Sequence, residues 1–158
     1  MPVIVQNRQR AVAIDLKWLG RTAEAVLSAA RAETVELSVV LVSDRRMRAL
    51  NRRYRKKDRS TDVLSFPLHE KSGHATFFRH GKLFSQKSSL SPFLLGDVVI
   101  SMQTAKRQAT EFGHGLRDEI ERLLVHGILH LLGYDHERNA RDAAAMARKE
   151  RAILKAIG

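Results

Sequence analysis

Residues 126–136 read HGILHLLGYDH and hold three of the chain's seven histidines, spaced four and then six residues apart. Residues four apart lie one turn apart on a single helix face, so His126 and His130 present their rings side by side. The flanking run LLVHGILHLL is apolar on nearly every side, which predicts a buried helix. Gly133 predicts where that helix stops, because glycine takes the left-handed conformation that reverses the chain. Tyr134 and Asp135 then carry His136 back toward the other two. Three imidazoles at about 2.0–2.1 Å from one ion leave a position open, the pattern of a catalytic zinc site. A buried imidazole needs a partner, and a metal is one way to supply it.

Working outward from this helix, the apolar periodicity divides the chain into elements. PVIVQ at 2–6 suits a strand, and Asp15 to about Arg31 follows helical spacing through Leu16, Leu19, Ala23, Val26, Leu27 and Ala30. VELSVVLV at 35–42 is a β-branched strand. Ser43 or Asp44 caps a helix with the inner stripe Met47, Leu50 and Tyr54. TDVLSF at 61–66 and LLGDVVIS at 94–101 read as strands. Met102, Ala105, Ala109 and Phe112 mark a helix ending at Gly113, and Leu116–Leu132 is the histidine helix. Asn139 and Asp142 cap a last amphipathic helix carrying Ala143, Met146, Ala147, Leu154 and Ile157. Residues 68–92, rich in Ser, Lys and His and lacking periodicity, read as a long mobile loop. The expectation is one α+β domain over residues 1–158, with a small mixed sheet of about four strands covered by about five helices.

Bulk properties narrow the setting. A chain of 158 residues with 44% hydrophobic and 28% charged content is long enough for a real core. It has no cysteine, which excludes disulfides and thiolate metal sites. No segment approaches the roughly 20 apolar residues of a membrane span, and the N-terminus lacks a signal-like apolar run. The default expectation is a cytoplasmic protein without a membrane partner.

Net charge is +11, and residues 45–59, RRMRALNRRYRKKDR, supply nine basic side chains against the single acid Asp58. A basic run of this density suits a phosphate backbone, whose neutralisation releases counterions. A solvated basic helix face accounts for the same run without a partner.

The histidine spacing also resembles the metzincin protease motif H-E-x-x-H-x-x-G-x-x-H at each fixed position except the Glu, here Gly127. In that motif the Glu is the general base, a role glycine cannot take. A zinc protease or other zinc hydrolase is therefore a rival reading that must find its base elsewhere. A second rival is a ribosome-associated RNA-binding protein in which the metal is structural. His69, His74, His80 and His114 show no comparable arrangement.

HGILHLLGYDH resembles the metal motif of the YbeY family, H-G-x-x-H-L-x-G-Y-D-H, at every fixed position. NRRYRKKDRSTDVLSFP at 51–67 and LLGDVVIS at 94–101 resemble two further blocks of that family, in the same order. The resemblance implies an α+β, metal-dependent, single-strand-specific endoribonuclease. It implies roles in ribosomal RNA maturation at the small-subunit 3′ end and in ribosome quality control. The implied metal ligands are His126, His130 and His136, with zinc as the usual ion and other divalent transition metals compatible. The implied partners are single-stranded RNA, ribosomal RNA and the small ribosomal subunit.

The resemblance also implies a functional arginine at Arg55, whose planar fork suits a phosphate. Arg53, Lys56, Lys57 and Arg59 are the expected RNA-backbone contacts. Asp135, beside His136, is a candidate catalytic or orienting carboxylate, or the cap of its turn. Asp62 and Asp97 are expected to be structural.

Overall fold

The computed structural model describes residues 3–67, 77–79, 82–84, 93–137 and 139–158. The elements run β1 (Val3–Asn7), α1 (Leu16–Ala29), β2 (Val35–Val42), α2 (Asp44–Arg55), β3 (Val63–Pro67), β4 (Phe77–Arg79), β5 (Lys82–Phe84), β6 (Phe93–Ser101), α3 (Met102–Phe112), α4 (Leu116–Leu131) and α5 (Ala140–Ile157). The main sheet has the order β1-β2-β6-β3. β1 and β6 flank β2 in parallel, while β3 runs antiparallel on the far side of β6. This is the four-stranded mixed sheet with five helices that the α+β reading expects.

The alternation of β2 explains the layering. Val35, Leu37, Val39 and Leu41 are buried on one face and join the larger core, built with Leu19, Val26, Val98, Ile100, Ile120, Leu124 and Ile128. Residues of α1, α3, α4 and α5 all enter this core. Among the described residues, the opposite face packs against α2 through Val42, Met47, Leu64 and Val99. Burial of this apolar area is the main stabilising contribution, at roughly 25 cal/mol per Å² removed from water.

Local chemistry sets the element ends. The Asp15 side chain accepts from the N–H groups of Lys17 and Trp18, and that of Asn139 accepts from Asp142. Ser43 caps α2 by accepting from Arg46, which leaves Asp44 free to serve another purpose. Its Oδ1 accepts from Ser60, Ser101 and Thr104, and its Oδ2 from Arg107 at 2.8 Å. Burial pushes this carboxyl up, but those donors and the Arg107 charge hold it far below the usual range.

Two sequence expectations change. Within 68–92, read as one loop, β4 and β5 pair antiparallel, because FFR and KLF supply β-favouring aromatic and aliphatic residues around the paired register. The rest of that segment, with His69, His74 and His80, lies outside the described residues. Tyr54 and Phe112, expected on inner stripes, are 50% and 58% exposed. Each sits in the last turn of its helix. The Tyr54 and Phe66 rings are edge to face with centroids 5.2 Å apart, and Phe112 lies under the Arg122 guanidinium.

Candidate metal centre

α4 crosses the sheet so closely that position 127 has no room for a side chain. A Cβ there would lie 2.8 Å from Val98 Cγ1 on β6 and 3.2 Å from Ser65 Oγ on β3. Ser65 Oγ also donates to the Gly127 carbonyl at 3.0 Å. The glycine is thus a packing requirement of the helix against the sheet. With Gly127 turned to the sheet, its neighbour His126 and the next-turn His130 lie at the helix margin, half-buried.

The end of α4 is a paired-hydrogen-bond reversal. The N–H of Tyr134 donates to Leu129 O at 3.0 Å and that of Gly133 to His130 O at 3.1 Å, with Gly133 at φ +97°. Asp135 Oδ1 then accepts from the Glu137 N–H at 2.9 Å, tightening the turn that carries His136. The three imidazole centroids lie 4.7, 5.0 and 5.0 Å apart. Among the described residues, these histidines are the group whose donor atoms converge for a metal, all within 4.8 Å of one another.

The donors fit an ion. Two nitrogens each about 2.0–2.1 Å from a tetrahedral ion stand about 3.3 Å apart. His130 Nε2 and His136 Nδ1 are 3.1 Å apart. Burial, with the neighbouring His126 and His136, lowers the pKa of His130 to about 4, so its ring is neutral at neutral pH, as ligation requires. His126 Nδ1 faces Glu150 Oε1 at 2.7 Å, a partner on α5 that the sequence reading missed. Burial raises the Glu150 carboxyl, but the His126 hydrogen bond and the Arg122 charge bring it below its ordinary value.

These rings line a cleft of roughly 550 Å³ together with basic side chains. Arg55, from the last turn of α2, lines it together with Lys57 and Arg59 from the loop that follows. Buried Asn51 shapes that loop: its Nδ2 donates to Arg59 O at 2.8 Å and its carbonyl accepts from the Lys57 N–H at 3.3 Å. Lys56 takes the left-handed conformation at the end of α2, at φ +57°. Of the five basic residues singled out in the sequence, Arg55, Lys57 and Arg59 reach the cleft lining. Arg53 is placed over the Tyr54 ring, 5.4 Å from its centroid. Asp135 and Asp62 line the cleft too. Asp62 Oδ2 accepts from Gln108 at 3.2 Å, with Arg122 3.8 Å away.

Arg122 belongs to a second group that periodicity alone cannot reveal. Glu119, on the apolar face of α4, is fully buried and accepts from Gln108, Arg122 and His114. Burial pushes its carboxyl up, and these partners more than offset that to leave it lowered. The His114–Glu119 spacing of five residues was the available signal, and it is weak.

A family model described as Endoribonuclease YbeY matches residues 4–158. A protein named Endoribonuclease YbeY from Aquifex aeolicus (strain VF5) is 44% identical over 154 residues, 96% of this chain and 89% of that one. The protein of that name from Pelotomaculum thermopropionicum is 44% identical over 98% of this chain and 95% of its own length. The one from Anaeromyxobacter dehalogenans (strain 2CP-C) is 50% identical over 86% of this chain, which spans 61% of that relative. A solution structure of a Thermotoga maritima protein superposes with a TM-score of 0.61 at 24% identity, covering 98% of this chain and 88% of that one, a likeness of fold.

Proposed function

Because the chain belongs to the YbeY family, we propose that its cleft cuts single-stranded RNA, with ribosomal RNA as the substrate and the small-subunit 3′ end as the place of cleavage. The chain is an endoribonuclease of ribosomal RNA processing, a hydrolase of phosphodiester bonds. The observation that carries the reading is one cleft lined by the three converging histidines together with Arg55, Lys57 and Arg59. A phosphodiester needs charge neutralisation at its non-bridging oxygens, and the cations of this cleft, with an ion held by the histidines, would provide it.

His126, His130 and His136 hold the ion, for which zinc suits three imidazoles and an open position. When bound, such an ion supplies Lewis acidity toward a phosphate oxygen. Arg55 grips the phosphate through its fork, while Lys57 and Arg59 neutralise neighbouring phosphates. Arg53 and Lys56, exposed on the same basic run, contribute at longer range. Asp135 is assigned as the carboxylate that orients the His136 turn at the reacting centre. In RNA the 2′-hydroxyl can attack the adjacent phosphorus, expelling the 5′-oxygen of the next nucleotide and leaving a 2′,3′-cyclic phosphate. Cleavage therefore does not require a Glu in place of Gly127 to activate water. A role in ribosomal RNA processing supports a cytoplasmic location and the small ribosomal subunit as partner, with a further role in ribosome quality control. Among the described residues, no helix is long and apolar enough to cross a membrane.

The test is cleavage of a labelled single-stranded RNA by metal-loaded protein. Cleavage is expected to vanish with a chelator and in His126→Ala, and to fall about 10²-fold in kcat/KM in Arg55→Ala. Casein cut while RNA stays intact would return the protease reading. RNA bound but never cut would leave the metal a structural role.

A further inference from the structure

Glu150 lies 24 residues beyond His126, on a different helix, yet their side chains meet at 2.7 Å. Its place on α5 is informative. Met146 and Ile153 are the buried residues of that helix, one turn before and one turn after Glu150. The three share a stripe at i, i+4 and i+7. A carboxylate on the stripe that docks against the core costs free energy unless it is partnered. Its hydrogen-bond partner is a ring that the metal site uses.

The chemistry of the contact decides the ring's state. An ionised carboxylate only accepts, so His126 Nδ1 carries the proton and donates. That leaves Nε2 as the single lone pair of His126, on a ring 4.7 and 5.0 Å from the other two. We propose that Glu150 is a positioning residue of the metal centre, locking His126 in the Nδ1–H tautomer and aiming its Nε2 at the ion. The C-terminal helix thereby becomes part of the site, although none of its residues lines the cleft. This role rests on reading the three histidines as metal ligands and is independent of which polymer is cut.

The experiment measures Zn²⁺ affinity by competition with a chromogenic chelator for wild type, Glu150→Ala, Glu150→Gln and Met146→Ala. Nitrogen NMR of the His126 ring without metal accompanies it. Glu150→Ala is expected to weaken Zn²⁺ binding about 10–100-fold and to release the ring into mixed tautomers. Glu150→Gln, whose amide oxygen still accepts, is expected to recover part of both. Met146→Ala loosens α5 without removing the carboxylate and is expected to lower Tm while keeping the tautomer. Zn²⁺ binding and tautomer unchanged in Glu150→Ala overturn this role alone. So does an equal loss of affinity in Met146→Ala, which assigns the effect to helix docking. A wild type that binds no Zn²⁺ overturns the metal reading and this role together.

Discussion

At position 127 the missing β-carbon carries two meanings that only geometry separates. The sequence shows a glycine where a metzincin protease has its general base. The structure shows Val98 and Ser65 where any side chain would go. The glycine is there so that α4, the helix that carries the histidine pair, can press on β3 and β6. Gly127→Ala is expected to destabilise the protein by about 1–2 kcal/mol, overpacking offsetting the better helix propensity of alanine. Thermal unfolding checks this, and Val98→Ala in the same chain should restore part of the loss by opening space. Additive losses in the double variant would show that the Val98 contact is not the cause.

At the scale of elements, the histidine helix is tied to its neighbours by charge as well as by apolar packing. Glu119 gathers Gln108 of α3, His114 of the α3–α4 turn and Arg122 of its own helix. Gln108 also reaches Asp62, which leads into β3 at the cleft. Since the Glu119 pKa is lowered on folding, the unfolded chain takes up its proton first as the medium acidifies. The stability contributed by this group is therefore fully present above its ordinary value of 4.5 and lost as pH falls below it. Denaturant unfolding from pH 7 down to 3 should show a weaker acid dependence in Glu119→Gln than in wild type, with lower stability at neutral pH. Parallel curves would remove Glu119 from the acid response.

Across the whole molecule, the +11 charge is concentrated on α2 and its following loop, three of whose cations line the same cleft as the histidines. Three cations lining one cleft predict a measurable counterion release. For single-stranded RNA, at about 0.7 per neutralised phosphate, log K against log salt should fall with a slope of about −2. Lys57→Ala should reduce the slope by about 0.7 without changing Zn²⁺ affinity, because Lys57 is not among the side chains that converge for the metal. A salt-independent affinity would mean that these cations do not carry the RNA backbone.

Much of this architecture is written locally. Periodicity places the helices and main-sheet strands, since each buries one face and side chains alternate at 3.6 or 2.0 residues. The histidine spacing around Gly133 makes the metal group legible, because one helix turn and one chain reversal are short-range geometry. Pairing across distance is not written this way. That β1, β2 and β6 run parallel while β3 opposes them, that Glu150 returns to His126, and that Glu119 sits buried among three donors all depend on how separate elements dock. The same holds for the basic run: nine equivalent cations in sequence become Arg55, Lys57 and Arg59 at the cleft only after α2 ends and Asn51 folds the loop. The sequence by itself determined which histidines are spaced to converge and where helices stop, through local conformational preference. The tertiary structure decided which of them face one another, because burial and hydrogen bonding are settled between elements.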